Sequence, residues 1–307
     1  MQALAAAPLD GVLKAWEGLG YYARARNLHR AAQAIVERHG GVFPCDPQAV
    51  RALPGVGEYT AGAILSIAFG QDEPALDGNL RRVLSRLFYV AGPPEAGVTL
   101  DALRRLAREV LPAGQAGPFN QALMDLGATI CTPRRPRCML CPVLRHCEAR
   151  RRGAQEEVPA RKQRRQAPHY EVTAALIWRD GRVLIAQRPA EGLLGGLWEF
   201  PGGKQEPGES LPACLQREIR EELALEIEVG EPLISVGHGY THFSITLHAF
   251  HARPLPGQGE PRAVQCADWR WVRPEELDRY AFSAADRKVI AALRADQTLE
   301  VFETSEV

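Results

Sequence analysis

Cys131-Thr-Pro-Arg-Arg-Pro-Arg-Cys138-Met-Leu-Cys141-Pro-Val-Leu-Arg-His-Cys147 places four thiols within 17 residues, in the spacing C-x6-C-x2-C-x5-C. Thiols so close together, crowded by Pro133, Pro136 and Pro142, suit one metal centre better than a disulfide framework. The other cysteines, Cys45, Cys214 and Cys266, are scattered singly. Spacing leaves two metals open. Structural zinc usually takes two C-x2-C knuckles, and only Cys138 and Cys141 form one here. An iron–sulfur cluster is the other reading.

Working outward, the 307 residues suffice for two ordinary domains, each with its own core. A formal charge of zero hides two opposite halves. Residues 1–165 carry 23 Lys and Arg against 15 Asp and Glu, whereas residues 166–307 carry 14 against 22. A basic half suits a polyanion, and an acidic half suits divalent cations or a solvated surface. Only Lys14, Lys162, Lys204 and Lys288 are lysines, so the basic half offers mainly guanidinium forks that match phosphate oxygens, although GC-rich coding gives the same bias. No run of about twenty apolar residues is present to span a membrane, and no secretory leader pattern opens the chain, which fits a reducing cytoplasm.

The stretch 150–168 is charged, poor in large apolar residues and punctuated by proline, as a solvated linker would be. It divides the chain into domains 1–149 and 169–307. Before it, apolar residues at three- and four-residue spacing predict helices over 13–16, 28–36, 61–69, 80–89, 103–110 and 119–130. After it, β-rich runs, several alternating in polarity, predict strands over 172–178, 183–186, 233–236, 244–251 and 269–272, with one helix over 211–223.

In the basic half, Leu53-Pro-Gly55-Val56-Gly57 joins two helical stretches. Its glycines permit a close backbone approach, and the amides of the following helix could hold a phosphate without reading sequence. The turn could equally be an ordinary connection. Further on, Asp77-Gly-Asn79 precedes a helix, where either polar residue could serve as a cap.

Taken together, LPGVG-x-Y-T-A-G-A, then L-D-G-N, then the cysteine run resemble the helix-hairpin-helix DNA glycosylases of the endonuclease III superfamily. Gly18-Leu-Gly-Tyr-Tyr-Ala-Arg-Ala-Arg-Asn-Leu-His29, with Tyr59, narrows the resemblance to MutY-type adenine DNA glycosylases, over residues 4–148. The resemblance implies a [4Fe–4S] cluster on Cys131, Cys138, Cys141 and Cys147. It implies double-stranded DNA as partner, with adenine mispaired with 8-oxoguanine or guanine taken out of the stack. It makes Asp77 the carboxylate that stabilises the oxocarbenium-like sugar, with Tyr59 beside it and Asn79 as polar support. Tyr21, Arg24, Leu53, Gly55, Val56 and Gly57 become the DNA contacts, Tyr21 by stacking on the oxidised guanine; without the family, core packing would be the preferred reading of Tyr21 and Tyr22. Tyr59 replaces the lysine of bifunctional relatives, so a monofunctional, monomeric enzyme of the bacterial cytoplasm, used at the nucleoid, is expected.

Family members carry an N-terminal segment ahead of the point where this sequence begins, including the glutamate that protonates adenine. Met1 therefore reads as an internal methionine and the polypeptide as lacking that acid. Glu17 and Glu58 do not occupy its position and read as solvated surface.

In the acidic half, Gly203-x5-Glu209-x7-Arg217-Glu218-Ile219-Arg220-Glu221-Glu222-Leu223-Ala224-Leu225 follows Trp198-Glu-Phe-Pro-Gly and matches the Nudix box except that Ala224 replaces the last glycine. Glu218 and Glu222, four apart on a helix with Glu221 beside them, could hold Mg2+ against a diphosphate. MutY-type enzymes normally end in a Nudix-like domain that reads 8-oxoguanine and has lost most of this box. Tyr240-Thr241-His242 stands where that family has an F-S-H loop, which makes Thr241 and His242 the lesion readers.

The expected fold is therefore multidomain α and α/β, an all-α helix-hairpin-helix glycosylase domain followed by an α/β Nudix-like domain. The expected function is adenine excision in base excision repair. Two rivals remain, an Mg2+-dependent Nudix hydrolase of 8-oxo-dGTP and a lesion-binding protein without catalysis.

Overall fold

Apolar spacing in the first half becomes helix, and alternation in the second becomes sheet, across the residues that the computed structural model describes, 1–160 and 167–296. The helices are α1 (Gln2–Ala6), α2 (Leu9–Ala15), α3 (Ala23–His39), α4 (Pro47–Arg51), α5 (Glu58–Ala63), α6 (Gly78–Leu87), α7 (Gly97–Glu109), α8 (Ala116–Thr129), α9 (Glu148–Arg151), α10 (Leu211–Leu223) and α11 (Ala284–Ala295). The strands are β1 (His169–Arg179), β2 (Arg182–Gln187), β3 (Trp198–Glu199), β4 (Ile227–Gly239), β5 (Ser244–Pro254) and β6 (Asp268–Val272). The chain forms two compact units, one of Met1 with Ala34–Arg165 and one of Gln2–Gln33 with Gln166–Val307.

The first unit is built on α6. Leu80, Val83 and Leu84 recur at helical spacing and bury against Leu103 and Ala107 of α7 and Leu123 and Leu126 of α8. Each such leucine contributes about 1.5–3 kcal/mol on burial. Gly127 of α8 passes the start of α6 so closely that an added Cβ would lie 2.6 Å from Asn79 Cβ. The hairpin of α4 and α5 closes over Val50, Ala61 and Leu65, and α5 runs into a π-helical turn at Ile64–Ala68.

The second unit is a mixed sheet in the order β3-β2-β1-β5-β4, with β6 also on β2. β1 and β5 run parallel, from His169 opposite Ser244 to Ile177 opposite Ala252, and the other ladders are antiparallel. Ala175 and Ile177 face α10 through Leu215 and Ile219, whereas Leu176 faces α11 through Val289 and Ile290. β1 is covered on both faces, which is why its sequence is a continuous apolar run.

Three expectations need correction. Residues 2–33, counted by sequence with the helical half, pack in the second unit, because Leu13, Tyr22 and Ala25 bury against Leu197 and Ala281. The first part of the stretch read as linker is packed: Ala154 and Val158 are buried, and Arg86 Nε donates to the Val158 carbonyl at 2.9 Å. Residues 161–166 of that stretch lie outside the described residues. Finally, α11 is a second helix among the strands. Ser283 accepts from the Ala285 and Asp286 amides at its start, and Val289, Ile290 and Leu293 form its apolar stripe.

Candidate functional site

Asp77 ends an extended segment and caps α6. Its Oδ1 accepts from the Leu80 amide at 2.7 Å, and its Oδ2 accepts from Asn79 Nδ2 at 3.1 Å. The side chain is half-buried, so one carboxylate face is fixed by two donors. The capping reading and the catalytic reading of Asp77 are thus compatible: the cap orients the carboxylate. Asn79 Oδ1 in turn accepts from Arg82 Nη2 at 2.8 Å, and Arg82 continues to the carbonyls of Gly127 at 2.7 Å and Cys131 at 2.8 Å. Asp77 is therefore joined through Asn79 and Arg82 to the first cysteine of the run. Asn79, Arg82 and Arg86 fall three and four apart on one face of α6. Sequence reasoning passed over both arginines, although that spacing after an Asp-Gly-Asn turn was a usable signal.

Tyr59 of α5 is exposed, and its hydroxyl contacts Met124 Sδ at 3.9 Å. In the hairpin, Leu53 is buried, Val56 packs beside Val50, and Gly55 takes φ +75°, where a side chain would be strained. Gly57 starts α5 without a side-chain cap, leaving first-turn amides open. Glu58 is exposed and gripped by Arg104, whose Nε lies 2.9 Å from both carboxylate oxygens. Glu17 is not the solvated group expected. It accepts from the Phe282 amide at 2.9 Å and pairs with Lys14 at 2.7 Å.

The four cysteines line one cavity with Val83, Leu87, Leu126, Ile130, Arg86 and Arg150. Successive tight turns carry them: the Cys141 amide donates to Cys138 O at 3.0 Å, Leu144 to Cys141 O at 3.1 Å and Cys147 to Leu144 O at 3.1 Å. Burial pushes the Cys138 and Cys141 thiols up, and Cys131 and Cys147 nearby act in the same direction. Among the described residues no three His, Cys, Asp or Glu come close enough to hold a single ion. Four thiols lining one cavity could together hold a thiolate-bound metal group.

In the second unit, the Tyr21 hydroxyl lies 3.0 Å from Thr241 Oγ1, in the turn between β4 and β5. Tyr21 is 69% exposed and Tyr22 6%, so core packing accounts for the second tyrosine and not the first. His242 is exposed beside Thr241, and exposed Arg24 lies over the Trp16 ring at 5.7 Å.

The Nudix segment is held by charge. Arg217 grips Glu209 at 2.9 and 3.0 Å and Glu218 at 2.9 Å, which holds the Glu209 carboxyl down at about 2. Glu222 turns to the Gly202 amide at 3.4 Å, and burial, with Glu218 beside it, raises it to about 7. Glu218, Glu221 and Glu222 share a helix, the first two engaged by Arg217 at 2.9 and 3.5 Å and the third by the Gly202 amide. Ala224 has φ +50° and ψ 38°, the left-handed conformation for which the box normally supplies glycine. Sequence reasoning also missed the half-buried carboxyl of Glu199, raised to about 8 by desolvation, and the buried carboxyl of Asp286, raised to about 6 by burial. Both sit near Arg188, which pairs with Glu199.

A family model described as HhH-GPD superfamily base excision DNA repair protein matches residues 1–109, and one described as NUDIX domain matches residues 173–292. An adenine DNA glycosylase of Homo sapiens is 35% identical over 345 residues, covering 97% of this chain and 63% of the relative. Adenine DNA glycosylases of Buchnera aphidicola subsp. Acyrthosiphon pisum (strain APS) and Schizosaccharomyces pombe (strain 972 / ATCC 24843) are 31% and 30% identical; the alignments cover 78% and 87% of this chain and 67% of each relative. This chain thus spans under two thirds of the human relative's length. Among solved structures, a thermostable thymine-DNA glycosylase is 32% identical over 49% of this chain and 70% of its own, with a TM-score of 0.45. The E. coli ORF135 protein is 40% identical over 46% and 96%, with a TM-score of 0.38.

Proposed function

Because this chain belongs to the adenine DNA glycosylase family, we propose that it hydrolyses the N-glycosidic bond of adenine mispaired with 8-oxoguanine or guanine in double-stranded DNA, acting as a monomer in base excision repair. The bond between the sugar C1′ and the base nitrogen breaks, its electron pair leaves with adenine, and adenine takes up a proton. Water then adds to C1′ and loses a proton. The developing cation needs a fixed negative charge on its open face, and Asp77 supplies it. The observation that carries this reading is the double anchoring of Asp77 by the Leu80 amide and Asn79, which holds the carboxylate in place. Tyr59 lines the same function from α5. In the first unit Leu53, Gly55, Val56 and Gly57 receive the DNA backbone; in the second, Arg24 offers a guanidinium to a phosphate. Tyr21, Thr241 and His242 read the oxidised guanine, supported by the Tyr21–Thr241 contact.

The cavity supports a [4Fe–4S] cluster on Cys131, Cys138, Cys141 and Cys147. When bound, such a group cross-links the loop through its thiolates. Hydrolysis of 8-oxo-dGTP by the Nudix box is the weaker reading, since the relatives that align with most of this chain are adenine DNA glycosylases. Mg2+-dependent pyrophosphate release from 8-oxo-dGTP that Glu222→Gln abolishes would restore it. The glycosylase reading is tested with Asp77→Asn, which should bind the mispaired duplex as wild type does and release no adenine in a single turnover. Undiminished release by that variant would overturn it.

A further inference from the structure

Among the described residues, Arg86 carries a positive charge into the interior of the first unit with no carboxylate bonded to it. The residue is 2% exposed. Nε donates to Val158 O at 2.9 Å, Nη1 to Thr132 O at 2.7 Å, Cys131 O at 3.2 Å and Cys131 Sγ at 3.3 Å, and Nη2 to Pro133 O at 3.4 Å. Its own carbonyl accepts from Cys147 Sγ at 3.5 Å, so it touches the first and last cysteines of the run. Among the described residues, none of its hydrogen bonds reaches an Asp or Glu. The guanidinium is satisfied in hydrogen bonds and unsatisfied in charge. A guanidinium does not deprotonate in proteins, and burying one without an anion is costly.

We infer that Arg86 is the built-in counter-charge of the iron–sulfur cluster, a positioning residue that neutralises the cluster and orients the Cys131 thiolate. This rests on the cluster reading above. A four-iron core held by four thiolates is a net anion, and it would occupy the cavity that Arg86 lines together with Val83 and Leu126. Arg150 also lines the cavity but is exposed, so water already solvates its charge. Of the two, only Arg86 needs the cluster as much as the cluster needs it.

The test compares wild type, Arg86→Gln and Arg86→Lys, each reconstituted with iron and sulfide and melted with and without the cluster. In metal-free protein Arg86→Gln should lower the melting temperature only by what the lost hydrogen bonds to the Val158, Thr132, Cys131 and Pro133 carbonyls contribute. In loaded protein the same change should remove much of the cluster's stabilisation, release iron to a chelator about tenfold faster, and lower the reduction potential, since a nearby positive charge favours the added electron. Arg86→Lys, which keeps the charge, should hold its iron nearly as wild type does. An equal drop in melting temperature with and without the cluster would mean a merely structural role and overturn the inference, as would unchanged iron release and potential in Arg86→Gln. Should Arg86→Gln fail to fold, Arg86→Lys decides: failure there too overturns the inference, because charge alone would not rescue. The wild-type arm is read first, and wild type that takes up no iron overturns the cluster reading itself and this inference with it.

Discussion

Tyr21 Oη and Thr241 Oγ1 lie 3.0 Å apart in the second unit although 220 positions separate the two residues. Tyr21 takes φ +47°, a conformation that turns the ring outward, and its exposed face is free to stack on a base. Thr241→Val keeps the shape and removes the hydroxyl. We expect it to lower the preference for 8-oxoguanine:adenine over guanine:adenine duplex by about tenfold. Tyr21→Ala should lose more than Tyr21→Phe, which keeps the ring. Competition binding at one fixed salt concentration checks both. Equal loss of affinity for the two duplexes would remove the pair from lesion reading.

Asn79 holds the second oxygen of Asp77 and is itself held by Arg82, so removing either should cost rate and spare binding. Asn79→Ala is expected to slow single-turnover adenine release by about tenfold with duplex affinity unchanged. Asp77→Asn retains a capping side chain, whereas Asp77→Ala should also destabilise the first unit by about 1 kcal/mol. Thermal melting separates the two effects. A parallel loss of binding in Asn79→Ala would contradict a positioning role.

The second unit should lose stability as pH rises. Burial raises Glu199 to about 8, Glu222 to about 7 and Asp286 to about 6. An unfolded chain releases these protons near pH 4–4.5. Between those limits the folded state binds more protons, so stability is greatest at the acid end and falls as pH climbs through the folded values. Glu209, held at about 2 by Arg217, works in the opposite sense only on acidification below the ordinary carboxylate range. All five tryptophans belong to this unit, at positions 16, 178, 198, 269 and 271, so their fluorescence reports its melting alone. The melting temperature should drop from pH 5 to pH 8, and Glu199→Gln should flatten the slope. A rise over that interval would contradict the burial account.

Ala224 occupies a left-handed position at the end of α10. Ala224→Gly restores the residue the turn favours and should stabilise the second unit by about 1 kcal/mol. A loss of stability on that change would mean that the methyl group contributes packing worth more than the strain.

Local chemistry was legible in the sequence wherever one element decided it. The apolar face of α6, the Ser210-capped helix Leu211–Leu223 and the doubly covered β1 all follow from spacing. What sequence could not reveal depends on distant partners. Glu17 reads as solvated until the Phe282 amide, 265 positions away, is brought to it. Tyr21 and Tyr22 are adjacent and identical in type, yet one is exposed and one buried, because Leu197 and Ala281 cover only the second. Arg86 looks like any arginine on a helix until Val158 and the cysteine loop close over it. Ala154 and Val158 read as linker for the same reason: two small apolar residues give no periodicity, and only the tertiary fold shows them packed.

The most direct measurement is single-turnover release of free adenine from an 8-oxoguanine:adenine duplex between pH 5 and pH 8, by this chain and by Asp77→Asn, with duplex binding followed in the same samples. The account predicts release that depends on Asp77 and quickens toward low pH, because the departing base must gain a proton. Both proteins should bind equally. Tight binding with no Asp77-dependent release at any pH would contradict it and leave a lesion-binding protein without catalysis.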